Sequence, residues 1–387
     1  MAFHLPIRRA LTITAVFGLV PFLAGADESL PLGNYLTRLA AALQRQGAAA
    51  PQALRARVTA ESRSGVRRLR IRDFQLISDS QRSLAGYNLG AGSWDTQVGV
   101  LGSAVANEFL FQAAAAGITL ERVEVVFTSH QDDAPLPPGK VAYPRNLAYT
   151  AYIASPASDG ELEDLRAKVE ATSPVLAFVT QPQDIPHGRV VYTKSPATPA
   201  PDSPPGLRDF LVEKRAALLR RAEGDGGSRR SPPLRAHVRV EGGTGLRHVR
   251  TGEFRFQFIH DNPRELAGFD LGPSAEEHQL GVMGTCLTHI FEIQAAQRQI
   301  ALDALEIEVE GTLTPRRPGG APPRLRDVRY TVRIASPEPP EKIDALRAAV
   351  EAVCPIYNLL KDPQTIEGRV VRGRFPGWSA EDTSASR

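Results

Sequence analysis

The chain has 387 residues, more than one compact core usually holds, so two or three domains are expected. Hydrophobic residues at 42% and charged residues at 23% sit near the globular average, which excludes wholesale disorder. The formal net charge of +3 is too small to argue for a nucleic-acid partner, and two cysteines, Cys286 and Cys354, are too few for a disulfide framework or a four-thiolate zinc site.

The N-terminus has the order of a secretory signal. A basic region ending in Arg8-Arg9 precedes the apolar run Ala10 to Phe22, and Ala24-Gly25-Ala26 supplies small residues for cleavage before Asp27. Gly18 and Pro21 break the run, and it is too short for a comfortable transmembrane helix, which wants ~20 apolar residues. Residues 1–26 are therefore expected to be a signal peptide, with the mature protein periplasmic or secreted; without such processing it would be cytoplasmic. No stable membrane span is expected.

Past this segment the chain contains itself twice. Residues 74–118 align without a gap to 256–300, with 19 identities in 45 positions, all at an offset of 182. Tyr149-Thr150 and Ile153-Ala154-Ser155-Pro156 return as Tyr330-Thr331 and Ile334-Ala335-Ser336-Pro337 at offset 181. The units are expected at 29–192 and 207–373. Between them, residues 193–206 (TKSPATPAPDSPPG) form a Pro-rich linker, and residues 374–387 a polar, disordered tail.

Each unit reads as α+β. In the second, alternation of apolar and polar residues predicts strands over Arg235–Glu241, Glu253–His260, Leu305–Gly311 and Val328–Ala335. From Ser274 to Gln299 the spacing changes to three or four residues (Leu280, Met283, Leu287, Ile290, Ile293), which predicts a long, largely buried helix opened by the capping box Ser274…Glu277. A second helix over Pro340–Val353 should stop before Pro355. The closing strand is Gly368 to Val371, mirrored by Gly188 to Val191.

Cys286 lies on the inward stripe of the long helix and Cys354 ends the second helix. Together with Asp261 to Gly268, Gly272-Pro273-Ser274, Glu277, Ile334-Ala335-Ser336 and Val350-Glu351-Ala352-Val353-Cys354-Pro355-Ile356, they make the second unit resemble the OsmC/Ohr family of osmotically inducible and organic hydroperoxide resistance proteins over essentially its whole length. The resemblance implies thiol-dependent reduction of organic hydroperoxides, with Cys286 as the peroxidatic thiol and Cys354 as the resolving one. It also implies an intertwined dimer-like fold in which antiparallel sheets enclose the central helices. Here two fused repeats would form that dimer within one chain. The first repeat has Ala104 and Ser173 at the cysteine positions and can only complete the fold.

Thiol chemistry at a buried cysteine asks for a cation to offset desolvation, and arginine suits this because it stays charged. The candidates are Arg247 and Arg250, with Arg67 and Arg70 as counterparts in the first unit; Arg250 is the primary one. Glu276 and Glu277 are the candidate carboxylates, although the capping box alone explains Glu277. Nine or ten residues of straight helix span roughly 14–15 Å, so neither reaches Cys286 along its own helix, and a shell from the other unit, Asp95 with Arg67 or Arg70, is the alternative. No cofactor or metal is expected; the partners are an organic hydroperoxide and an unidentified dithiol reductant. A second reading is a non-catalytic exported scaffold that binds apolar ligands, with Cys286–Cys354 as a structural disulfide.

Overall fold

In the computed structural model, residues 31–45, 50–130, 140–224, 233–317 and 320–377 are described. The expected signal peptide and all but the first four residues of the expected tail lie outside them.

The two units repeat one order of elements. The first runs α1 (Leu32–Arg45), β1 (Gln52–Ala60), β2 (Arg67–Ile71), β3 (Phe74–Ser78), α2 (Ser93–Ala116), β4 (Arg122–His130), β5 (Arg145–Ala154), α3 (Asp159–Thr172), α4 (Pro174–Thr180) and β6 (Arg189–Lys194). The second runs α5 (Leu207–Gly224), β7 (Leu234–Val240), β8 (Arg247–Thr251), β9 (Phe256–His260), α6 (Ala275–Arg298), β10 (Ala304–Leu313), β11 (Leu325–Ser336), α7 (Pro340–Val353), α8 (Pro355–Lys361) and β12 (Ile366–Arg372). The strand expected from Glu253 starts at Phe256 instead. Gly252, Glu253 and Phe254 all adopt positive φ and turn the chain, because the second unit carries two more residues here than the first.

Neither unit builds a sheet of its own. One six-stranded sheet has the order β3-β2-β1-β10-β11-β6, the other β12-β5-β4-β7-β8-β9. Strands of the two units meet at β1 with β10 and β4 with β7, both antiparallel, and at β6 with β11 and β12 with β5, both parallel. The sheets are thus antiparallel except at these two outer strands.

A glutamate gathers hydrogen bonds beside each outer strand. Tyr330 Oη, Gly188 N and Arg347 Nη1 all donate to Glu351, at 2.6, 2.8 and 2.6 Å, and Tyr149 Oη and Arg166 Nη1 donate to Glu170 at 2.9 and 2.5 Å. Glycine is required at 188 and 368. A Cβ would lie 2.1 Å from the Tyr330 ring at the first and 2.2 Å from Glu170 Oε1 at the second.

The central helices α2 and α6 lie between the sheets and pack on each other and on opposite sheets. Both are buried along most of their length, so they show little amphipathic contrast. By length and composition α2 could cross a membrane, but most of it is buried inside the protein.

Candidate functional site

The site begins at the middle of α6, where Cys286 is 3% exposed. Cys354 is fully buried at the junction of α7 and α8, in an extended conformation that the following Pro355 favours. Their Sγ atoms are 3.5 Å apart, unbonded, with Cys354 as the donor. Burial and the neighbouring Cys286 sulfur push the Cys354 thiol well above its ordinary range. Cys354 therefore keeps its proton and can point it at the sulfur of Cys286. A disulfide needs about 2.05 Å, so a small side-chain movement joins the pair.

One turn beyond Cys286 on the same helix, α6 carries His289 and then Glu292, and here the first unit reaches in. Arg67, 1% exposed on β2, contacts His289 Nδ1 at 3.2 Å and donates to Ser80 Oγ at 3.1 Å and Glu292 Oε2 at 3.3 Å. Lys214 of α5, fully buried, donates to the same Glu292 oxygen at 3.0 Å. Two cations thus share one carboxylate oxygen, while Arg67 Nε and Glu292 Oε1 have no hydrogen-bond partner among the described residues. Burial alone would raise the Glu292 carboxyl, but Lys214 and Arg67 outweigh it and take it down to about 2. Burial, with Lys214 and Arg67 adding to it, brings His289 down to about 3, so its imidazole is neutral at physiological pH.

Of the arginines expected from the sequence, Arg70 and Arg250 fall elsewhere. Along β2 the inward residues are Arg67, Leu69 and Ile71, and Arg70 is exposed on the outer face. Arg250 is likewise exposed, and its strand β8 belongs to the sheet that packs on α2, whereas α6 packs on β1, β2 and β10. Arg67, not Arg70 or Arg250, is the strand cation beside the cysteine helix.

The carboxylates are also accounted for away from Cys286. Glu277 closes the capping box with Ser274 and accepts from Arg72 Nε at 2.7 Å, which ties the β2–β3 turn to the start of α6. Glu276 is raised by burial and feels Arg316 and Arg247; Arg316 is bidentate to Glu108 of α2 at 2.7 and 2.6 Å, so Glu276 belongs to the side where Ala104 replaces the cysteine. Asp95 occupies the place of Glu277 in the first unit. It faces the β8–β9 turn, where Gly252 stands instead of Arg72, and burial together with Glu253 pushes its carboxyl up to about 6.

Sequence reasoning missed His289, Glu292, Lys214 and Ser80. A signal was present in the comparison of the two units. Glu292 corresponds to Leu110 at the common offset, and aligning Leu207-Arg208-Asp209-Phe210 with Leu32-Gly33-Asn34-Tyr35 sets Lys214 against Leu39. A buried acid and base gained together in one copy mark a changed site.

With the cysteine pair and its charged neighbours in view, the kinship can be stated. A family model described as OsmC-like protein matches residues 268–368. This stretch is an OsmC-like domain. It holds all of α6 and both cysteines, while the Arg67 side chain that faces it comes from outside the matched segment. Comparison with curated proteins finds no match. Among solved structures, an OsmC-like protein from Mycoplasma pneumoniae is 20% identical over 34% of this chain and 90% of its own, with a TM-score of 0.27. An organic hydroperoxide resistance protein OsmC from Legionella pneumophila, described as a predicted redox protein, is 22% identical over 35% and 95%, with a TM-score of 0.28. An osmotic stress and detoxification response protein from Psychrobacter arcticus is 16% identical over 33% and 88%, with a TM-score of 0.26.

Proposed function

We propose that the chain is a thiol-dependent peroxidase that reduces organic hydroperoxides, with Cys286 as the attacking thiol, Cys354 as the resolving thiol and the first unit as the supplier of Arg67. The observation that carries this reading is the 3.5 Å separation of two buried, unbonded sulfurs with Cys354 donating to Cys286. The OsmC-like match over the segment that contains both cysteines supports redox chemistry at the family level.

The chemistry balances as follows. The Cys286 thiolate attacks one oxygen of the hydroperoxide, the O–O bond breaks, and the departing alkoxide takes up a proton to become the alcohol. Cys286 is then a sulfenic acid. Cys354 attacks its sulfur, the S–O bond breaks, and hydroxide leaves with the Cys354 proton as water. Two thiols are oxidised to a disulfide while one peroxide is reduced to alcohol and water. An external dithiol restores the pair by exchange.

The roles divide by environment. Cys354 holds its proton until the second step because of its burial. Arg67 and Lys214 meet Glu292 six residues further along α6, so the attacking sulfur shares its helix with two buried basic side chains. The N-terminal segment is proposed as an export signal, so the reductant would be a dithiol of the periplasm or exterior. The deciding experiment mixes reduced protein anaerobically with tert-butyl hydroperoxide and counts thiols. Two thiols lost and one tert-butanol formed per peroxide is the expected result; unchanged thiols after prolonged exposure would reject the peroxidase.

A further inference from the structure

Between the β3 and β9 edges lies a groove of about 490 Å³, within the range of small-molecule sites, which neither cysteine lines. Its lining repeats across the two units: Phe74 and Phe256, Ile77 and Ile259, and Leu89 and Leu271 all take part, each pair 182 residues apart. Ile77, Leu89 and Leu271 are 54%, 62% and 55% exposed, so the rim presents large apolar side chains to water. Apolar surface gathered around a cavity marks a ligand site more often than chance exposure does.

The floor carries a polar group with nothing to bind. His278 of α6 lines the groove and is only 2% exposed. Its Nδ1 lies 2.8 Å from Nε2 of His260, whose Nδ1 lies 2.8 Å from Ser103 Oγ on α2, and its own Nε2 bonds to no described residue. The relay fixes the protons. Ser103 is fully buried, with His260 as the one partner of its side chain among the described residues, so its hydroxyl donates to His260 Nδ1. His260 then carries its proton on Nε2 and donates to His278 Nδ1, which leaves His278 with an Nε2–H directed at the groove. Of the other buried polar side chains in the lining, Thr96 and Thr285 donate to the carbonyls of Gly92 and Val282, while Ser78 Oγ has no partner among the described residues. Arg255 is the one charged residue of the lining, is exposed, and already lies in the field of Asp95.

We infer that this groove binds an uncharged aliphatic chain carrying a carbonyl-type oxygen, which accepts the hydrogen bond of His278 Nε2–H. A carboxylate is disfavoured, since it would be desolvated against a neutral imidazole. A peptide strand added to the bare β3 or β9 edge would leave the donor between the helices unmet. The inference does not rest on the thiol chemistry, and its test reads binding alone.

The test is displacement of Nile red from the intact reduced protein by methyl laurate, laurate and dodecane. Methyl laurate should compete about tenfold better than dodecane, the effect of one hydrogen bond in a dry site, and better than laurate. His278→Phe should erase the preference for ester over alkane while the alkane still competes. Leu271→Lys, at an exposed wall position that should leave folding intact, should weaken all three competitors. Equal competition by ester and alkane in the unaltered protein, or an ester preference that survives His278→Phe, would overturn the inference, as would Nile red binding that is indifferent to Leu271→Lys.

Discussion

Gln97 and Gln279 exchange two amide hydrogen bonds, each Nε2 donating to the other's Oε1 at 2.8 and 2.9 Å, with both side chains fully buried. They are 182 residues apart, the offset of the sequence repeat, and sit on the two central helices. A reciprocal pair between equivalent residues is what a two-fold axis produces, so the fused chain keeps the symmetry of a dimer at its centre. Around that axis the two sides have diverged. One holds the cysteines with Lys214 and Glu292; the other holds Ala104 and Ser173, with Leu39 and Leu110 at the matching positions.

The first prediction concerns the order of thiol reaction. Cys354→Ser should still react with one hydroperoxide and accumulate a sulfenic acid, trapped with dimedone and seen by mass spectrometry. Cys286→Ser should not react at a comparable rate. The opposite pattern would reverse the roles of the two cysteines.

Arg67→Met should slow peroxide consumption about tenfold or more, equivalent to about 1.4 kcal/mol or more in the barrier, because it removes the cation beside the cysteine helix. Arg70→Met and Arg250→Met should leave the rate unchanged, since both side chains are exposed on outer faces. Stopped-flow measurement on the three variants distinguishes them.

Glu292→Gln removes the one carboxylate that bonds to Lys214 and Arg67 among the described residues and strands two buried cations. Unfolding by urea should show a loss of about 3–5 kcal/mol. The double variant Lys214→Leu with Glu292→Leu, which copies the pair found in the first unit, should lose less than Glu292→Gln alone.

Asp95 gives stability a pH dependence. Its carboxyl is pushed up to about 6, so between roughly pH 4 and pH 6 the folded protein holds a proton that the unfolded chain has released. Stability contributed by this group therefore falls as pH rises through that window and stays lower above it. Asp95→Asn should stabilise the protein by about 1–3 kcal/mol at pH 7, with the gain shrinking towards zero at pH 4. A gain that is constant with pH would contradict the assignment.

The second unit expressed alone lacks β4 and β5, the partners of β7 and β12. It should aggregate or self-associate in sedimentation experiments, because those edges and the α6 face that meets β1 and β2 would be bare. A stable, fully active monomer of residues 207–373 would be incompatible with the interlocked sheets.

Much was already determined by the sequence itself. The repeat is a matter of identity at fixed spacing, and the ends of α6 and α7 follow from a capping box and a proline, both local effects. The stripe of apolar residues in α6 turned Cys286 inward, and alternation along β2 placed Arg67 in phase with Leu69 and Ile71. Which sheet each inward face would meet was not legible. Two nearly equivalent units offer each strand two possible neighbours, and periodicity reads a face without naming its partner. Only the tertiary structure decided that β2 of the first unit covers the cysteine helix of the second. It alone brought Lys214, Glu292 and His289 together, set Glu277 against Arg72, and left Asp95 opposite a glycine turn, where burial and Glu253 outweigh Arg255.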